Sequence, residues 1–187
     1  MNNTEAFPTL ETERLILRAI TNDDCQAMFD LRSNPKLMKY IPRPLCVTLK
    51  DAETLLGKVI MANENRTNIN WAMSLKDNPH MFGFMGFAKV HAEDHRAEVG
   101  YMMLESHFGY GYMREALKAV IDYGFDVMNM HTLQGIIDPE NTASENILIH
   151  HGFVKEAHFK ENVFFEGQYL DSVHYTLFRD TWASRKI

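Results

Sequence analysis

The stretch HFGYGYMREAL, residues 107–117, decides how this sequence is interpreted. Gly109 and Gly111 stand where an extended segment passes directly into a segment with helical periodicity. Glycine adopts positive φ angles at little cost, and the first turn of a helix leaves backbone N–H groups without partners. Such a loop is either a tight structural turn or a cradle of amides for an anion, and phosphate is the natural guest of a helix N-terminus.

Two known phosphate-binding motifs do not fit this loop. A P-loop requires a Lys-Ser/Thr pair after its second glycine, where this chain has Tyr112 and Met113. A dinucleotide-binding fingerprint requires Gly or Ala three residues after Gly111, where Arg114 stands. The spacing of the glycines therefore leaves the turn and the cradle equally open.

Hydrophobic periodicity predicts a mixed α/β (α+β) chain with one central sheet of about seven strands and about four helices. Strands are expected at 14–20, 67–75, 82–90, 96–104 and 132–137, followed by a hairpin that turns at 166–168. Helices are expected after Thr21, after Thr48, from Gly111 and after Asn141. The second and third strands are expected to join through Asp77-Asn78-Pro79.

Length, composition and charge limit the function classes. The 187 residues, 45% of them hydrophobic and 24% charged, fit a single domain over 1–187 with its core at about 10–179. The net charge of −6 argues against a nucleic-acid surface and suits a cationic acceptor such as an amine. Neither a signal peptide nor an apolar run of membrane-spanning length is evident, so we expect a cytoplasmic protein. Cys25 and Cys46 form no disulfide framework or metal pattern, and the adjacent His150 and His151 cannot chelate one ion as an i, i+4 pair would.

Several segments in succession identify a family resemblance. They are LETERLILRAITNDD (10–24), AEVGYMML (97–104), IIDPENTAS (136–144), HHGF (150–153) and EGQYLDSVHYTL (166–177), with the glycine loop between the second and third. This order resembles the GNAT superfamily of acyl-CoA-dependent N-acetyltransferases, and within it the branch similar to the RimJ/RimL ribosomal-protein N-terminal acetyltransferases. The resemblance covers about Leu10 to Arg179 and implies a GNAT-type, mostly antiparallel sheet.

The resemblance implies that acetyl-CoA is the co-substrate and that no metal is needed. The pyrophosphate of coenzyme A would be held by the loop amides, the acyl carbonyl by main-chain N–H groups of the preceding strand, and further contacts would come from the NTAS segment. The implied cofactor-binding residues are Met102, Met103, Leu104, Gly109, Tyr110, Gly111, Tyr112, Met113, Arg114, Asn141 and Ser144. Met113 departs from the family pattern, which has a small residue there.

The resemblance also suggests the catalytic groups. Several relatives carry a catalytic glutamate in the strand before the loop, so Glu98 is the expected general base, the alternative being a surface glutamate on an edge strand. Most members place a Tyr thiolate donor where this chain has Leu148, and in the RimJ/RimL-like branch that role looks transferred to a serine, here Ser144. Glu115 is expected to be structural, because acidic residues stabilise the first turn of a helix. Asn141 is also a plausible helix N-cap.

The expected activity is acetyl transfer to a primary amine, on a protein N-terminus or a small molecule, by direct transfer in a ternary complex. Leu148 leaves an alternative open, a non-catalytic acyl-CoA-binding or regulatory domain. The expected partner is the amine acceptor, and a homodimer would be in keeping with the family.

Overall fold

The computed structural model describes residues 6–185. Its strands are β1 (Leu10–Glu11), β2 (Leu15–Ala19), β3 (Ile69–Leu75), β4 (Asn78–His91), β5 (Arg96–Met103), β6 (Thr132–Ile137), β7 (Val154–Phe165) and β8 (Gln168–Phe178). They form one eight-stranded sheet in the order β1-β2-β3-β4-β5-β6-β8-β7. Only the β5–β6 pair is parallel among the strand pairs of residues 6–185.

Six α-helices accompany the sheet in the described part of the chain: α1 (Cys25–Arg32), α2 (Pro35–Met38), α3 (Leu49–Glu64), α4 (Tyr112–Asp122), α5 (Thr142–His150) and α6 (Arg179–Ser184). A π-helical turn at Tyr123–Val127 extends α4. The predicted mixed, mostly antiparallel fold class is confirmed, and the extra elements are the short β1, α2 and α6. Within residues 6–185, no helix combines the length and the apolar character that crossing a membrane requires.

Helix starts follow from side-chain caps. The Thr48 hydroxyl accepts the Asp51 N–H at 3.3 Å, and the Asp51 carboxylate accepts the Thr48 N–H at 2.8 Å, which is a capping box. At the first helix the Asp24 carboxylate accepts the Thr21 N–H at 2.9 Å, and a 3-10 turn over Asn22–Asp24 precedes α1. The predicted starts after Thr21 and Thr48 therefore correspond to real caps.

The hairpin turns are tighter than predicted. Leu75 pairs with Asn78, so the β3–β4 turn consists of Lys76 and Asp77, and Asn78 and Pro79 already belong to β4. Proline is tolerated there because it lies at the exposed end of the strand.

The β7–β8 turn likewise uses only two residues, Glu166 at φ 47° and Gly167 at φ 80°. Positive φ at both central positions matches the right-handed twist of the flanking strands. Gln168, which the sequence pattern assigns to this turn, opens β8 instead.

Each face of the sheet carries its own hydrophobic core. One core packs α4, through Leu117 and Val120, against Trp71 and Phe87 of the sheet. The other core packs α1 and α3 on the opposite face. The sheet therefore lies between two packed layers.

The parallel pair β5–β6 is short. Pairing covers only Arg96, Ala97 and Glu98 against Thr132, Leu133 and Gln134. Beyond Glu98 the two strands part, while β6 stays paired with β8 as far as Ile137. The candidate site lies in the gap between these two strands.

Candidate active site

A cavity of about 1310 Å³ occupies the opening between β5 and β6. Its wall is made by the strands themselves, the glycine loop, α5, and the segment that includes α2. The predicted site residues that line it are Glu98, Met102, Met103, Gly109, Gly111, Tyr112, Met113, Arg114, Asn141 and Ser144. Leu104 and Tyr110 are not among the lining residues.

The glycine loop has the geometry of an anion cradle. Gly109 and Gly111 have φ angles of 83° and 81°, and Gly111 is the N-cap residue of α4. The first α4 hydrogen bond runs from the Glu115 N–H to the Gly111 carbonyl at 3.1 Å. The six N–H groups of residues 109–114 have no acceptor among residues 6–185. Unpaired N–H groups at a helix N-terminus suit a phosphate group, so this part of the wall fits the pyrophosphate of coenzyme A.

The Met113 side chain does not project into the cradle. It is only 8% exposed and belongs to the α4 core. Its N–H group is free for an anion, as a backbone contact requires.

A clamp formed by Thr12, Arg14 and Glu115 fixes the loop to the first hairpin. The Glu115 carboxylate accepts the Thr12 hydroxyl at 2.5 Å, the Arg14 N–H at 2.8 Å and the Arg14 Nε at 2.7 Å. Arg14 Nη1 also donates to the Tyr110 carbonyl at 2.9 Å. Burial opposes ionisation of Glu115, but these hydrogen bonds prevail and hold its pKa below the ordinary value. The structural role expected for Glu115 agrees with these contacts.

Glu98 lies at the apex of the opening. It is the last β5 residue paired with β6, opposite Gln134, and it lines the cavity. Its charge acts on His174, whose pKa is nevertheless lowered because burial is the larger effect. His174 Nε2 lies 3.2 Å from the Ser172 hydroxyl, which also accepts from Asn162 Nδ2 at 2.9 Å. A carboxylate thus faces the cavity with a polar pair close by.

The NTAS segment positions Ser144 at the start of α5. Asn141 Oδ1 accepts the Ser144 N–H at 3.1 Å, which confirms Asn141 as an N-cap. The Tyr101 hydroxyl lies close to Ser144 but is buried without a partner of good hydrogen-bond geometry among the described residues. Burial raises the pKa of Tyr101 to about 12, and the nearby Ser144 hydroxyl opposes that shift. The sequence did not indicate this proximity, because β5 and α5 meet only in the fold.

Leu148 offers no proton donor at the position where most family members have tyrosine. It is fully buried and packs directly over Gly135, where an added Cβ would lie 2.7 Å from Leu148 Cδ1. Two polar contacts also hold helix α5. Tyr175 donates a hydrogen bond to Glu145, and the His151 ring lies 3.0 Å from the Arg114 carbonyl oxygen.

The main-chain donors of β5 are not equivalent. The Leu104 N–H donates to the Phe82 carbonyl at 2.9 Å and is therefore not available to a ligand. Successive residues of a strand direct their N–H groups to opposite sides, so the Met103 N–H faces the edge that β6 has left. Of the three predicted residues Met102, Met103 and Leu104, Met103 is therefore the one whose N–H is directed toward the opening.

Arg32 is a cavity residue that sequence reasoning missed. Its Nε is buried without a partner among residues 6–185, and Nη1 lies 3.8 Å from the Met102 sulfur. Burial lowers its pKa. A single arginine at the end of a predicted helix carries no signal that distinguishes it from a surface charge.

The parted parallel strands, the glycine cradle and the cavity between them define an acetyltransferase of the GNAT type. Residues 14–154 match the family described as Acetyltransferase (GNAT) domain, and the chain belongs to that family. It is an N-acetyltransferase, as the resemblance predicted.

Named relatives agree with this assignment. The chain is 28% identical over 171 residues to the uncharacterized N-acetyltransferase YoaA of Bacillus subtilis, covering 91% of this chain and 97% of that protein. It is 24% identical over 173 residues to a spermidine N(1)-acetyltransferase of Vibrio cholerae, covering 92% and 97%. The solved structure of RimL, a ribosomal L7/L12 alpha-N-protein acetyltransferase in complex with coenzyme A, is similar with a TM-score of 0.81 at 18% identity, over 93% of this chain and 99% of that one.

Proposed function

We propose that this protein transfers the acetyl group of acetyl-CoA directly to a primary amine within a ternary complex. The observation that carries the proposal is one cavity with the unpaired N–H groups of the glycine loop at one end and the Glu98 carboxylate at the apex of the opening. The acceptor is a protein N-terminus or a small amine, in line with the names of the RimL and spermidine relatives.

Three groups of the chain divide the chemistry, once coenzyme A is held by the loop amides and by Asn141 and supplies an activated thioester. Glu98 accepts the proton that the ammonium form of the acceptor must lose before its nitrogen can attack. The Met103 N–H stabilises the carbonyl oxygen as it gains negative charge. The Ser144 hydroxyl donates a hydrogen bond to the sulfur as the C–S bond breaks and the C–N bond forms.

The cavity wall favours direct transfer over an acetyl-cysteine intermediate. Cys25 and Cys46, the two cysteines of the chain, are both free thiols, and neither lines the cavity. Burial raises the pKa of Cys46, which reduces its thiolate fraction further.

Thiol release from acetyl-CoA, measured against a panel of peptides and amines, tests the activity. Direct transfer predicts intersecting lines when the concentrations of both substrates are varied, whereas parallel lines would indicate a covalent intermediate. Tight coenzyme A binding without turnover on any acceptor, unchanged by Ser144→Ala, would point instead to a non-catalytic domain.

Glu98→Gln tests the general base. We expect kcat/KM for the acceptor to fall by about 10²–10⁴-fold, the usual contribution of a positioned base. Coenzyme A affinity should stay constant, because Glu98 lies at the apex and outside the cradle. Glu93, an exposed carboxylate that does not line the cavity, is the matched control, and Glu93→Gln should leave the kinetics unchanged. Equal effects of the two substitutions would contradict the role of Glu98.

A further inference from the structure

Arg32 presents a cation whose Nε is buried and which has no counter-ion. It is the last residue of α1, and its side chain lines the same cavity as Glu98 and Ser144. Its Nε has no acceptor among residues 6–185, and the Met102 sulfur near Nη1 is only a weak acceptor. Charged groups are rarely withdrawn from water without a partner, because the loss of hydration is not compensated.

The surroundings do not neutralise this charge. None of the Asp or Glu residues among 6–185 forms an ion pair with Arg32. Glu105 lines the same cavity, but its contact is with Asn34 Nδ2 at 3.5 Å. Arg43 lies near enough to repel Arg32, and Cys46, whose raised pKa keeps its thiol protonated, adds no compensating charge at neutral pH. Arg32, Lys36 and Arg43 thus outnumber the carboxylate Glu105 in this part of the wall, although the whole chain has a net charge of −6.

The position of Arg32 indicates whether an anion bound by it belongs to coenzyme A or to the acceptor. Arg32 contacts Met102, whose side chain belongs to the core on the α1 and α3 face of the sheet, opposite the face that carries α4 and its glycine loop. The cradle for the pyrophosphate begins at Gly109, beyond the end of β5, and supplies its own donors. An anion bound by Arg32 therefore lies apart from the pyrophosphate cradle, and we assign it to the acceptor.

We propose that the acceptor carries a carboxylate close to its amine and that Arg32 binds this carboxylate as a two-point ion pair. The planar guanidinium presents parallel N–H donors that match the two carboxylate oxygens. The proposal rests on the acetyltransferase function above and narrows its substrate class. It keeps the amine acceptor that net charge suggested and adds a carboxylate to it.

Matched acceptor pairs test this inference. The free L-amino acids are compared with their carboxamides, and peptides beginning Met-Asp with peptides beginning Met-Asn, with spermidine as a polycationic reference. The first pair reports a free α-carboxylate and the second an acidic side chain, so together they separate the two sources of the anion. We expect at least one carboxylate to exceed its amide by about tenfold or more in kcat/KM, the scale of one charge-assisted hydrogen bond.

Three variants test whether Arg32 is responsible for the preference for carboxylate over carboxamide acceptors. Arg32→Met should reduce the ratio of carboxylate to amide to about one, and Arg32→Lys should restore it only in part, because lysine keeps the charge but lacks the paired donors. Arg43, whose side chain is exposed in the same wall, is the matched control, and Arg43→Met should keep the ratio within about threefold, as expected of a solvated charge. Arg32→Met should unfold no earlier than the wild type, since it removes an unpaired charge with a buried donor.

A binding measurement separates this inference from the function it rests on. Calorimetric titration of the protein saturated with coenzyme A by the same compounds requires no turnover. Equal affinities for carboxylates and amides, or preferential binding of spermidine, would overturn the inference even if the enzyme is active. Loss of coenzyme A affinity in Arg32→Met would also overturn it, because Arg32 would then serve the cofactor. Carboxylate binding without thiol release would uphold it and count against catalysis instead.

Discussion

Polar side chains of the cavity wall and of the clamp differ in whether they have hydrogen-bond partners. The Glu115 carboxylate accepts three hydrogen bonds, whereas the Tyr101 hydroxyl and Arg32 Nε have no partner among residues 6–185. A saturated group holds the structure together, while an unsatisfied one reduces the stability of the free protein. Unsatisfied groups that face a cavity are therefore the ones suited to a ligand.

Tyr101→Phe is predicted to change stability and activity in opposite directions. Removal of a buried hydroxyl that lacks a partner should raise the free energy of unfolding by about 1 kcal/mol, the scale of an unmade hydrogen bond. The kcat for acetyl transfer should fall by about tenfold, because Ser144 loses the polar neighbour beside it. Urea denaturation and steady-state kinetics on one preparation check both effects. A variant that loses stability and keeps full activity would show that the hydroxyl serves the fold alone.

At the scale of elements, the loop between β5 and α4 depends on two glycines and on the clamp. The positive φ values at Gly109 and Gly111 set the turn that leads into α4 and leaves the N–H groups of the loop without acceptors among residues 6–185. The clamp holds this loop against the β1–β2 hairpin. The glycines thus determine the conformation of the cradle and the clamp determines its position, so substitutions can test the two effects one at a time.

Gly111→Ala tests the conformational cause. A side chain at φ 81° is strained even where there is space, so the free energy of unfolding should fall by about 1–2 kcal/mol. Affinity for coenzyme A, measured by calorimetry, should fall with it. Gly57 in α3 is the matched control, because no atom lies within 4 Å of an added Cβ there. Gly57→Ala should raise stability by about 0.5–1 kcal/mol and leave affinity unchanged. Similar outcomes for both variants would rule out strain at the loop as the cause.

At the scale of the whole molecule, buried histidines link stability to pH. Burial lowers the pKa values of His151 and His174 below the ordinary 6.5. As the pH falls below 6.5, the unfolded chain binds protons before the folded chain does. Folding stability should therefore decrease with acidification in this range. Carboxylates with lowered pKa values, such as Glu115, also stabilise the fold, and that stabilisation is lost only below about pH 4.5.

Urea denaturation at about pH 7.5, 6.5 and 5.5 checks this prediction. The free energy of unfolding should decline toward the acid end, by at most about 1.4 kcal/mol per pH unit for each histidine. His151→Gln should flatten the profile, and His80→Gln, at an exposed position, should not. If stability instead rises on acidification, the buried histidines do not control this transition.

The sequence predicted elements and residues where the signal is local. The strong periodicity of α4 predicted the helix, the glycine pair predicted its loop, and Asn141 predicted an N-cap. Strand β1, with 2 residues, and helix α2, with 4, are too short to show periodicity. The proximity of Tyr101 to Ser144 and the lack of a partner for Arg32 Nε depend on how distant segments meet in the fold, which one sequence does not display.

The clamp has a practical consequence for anyone handling the protein. Thr12 and Arg14 lie close to the amino terminus in sequence, yet they hold the loop proposed to bind the cofactor. A fusion partner that displaces the β1–β2 hairpin would weaken nucleotide binding while leaving every cavity residue intact. Inactivity of a variant altered in this hairpin would therefore not identify a catalytic residue, because the contacts of Thr12 and Arg14 act through the position of the loop.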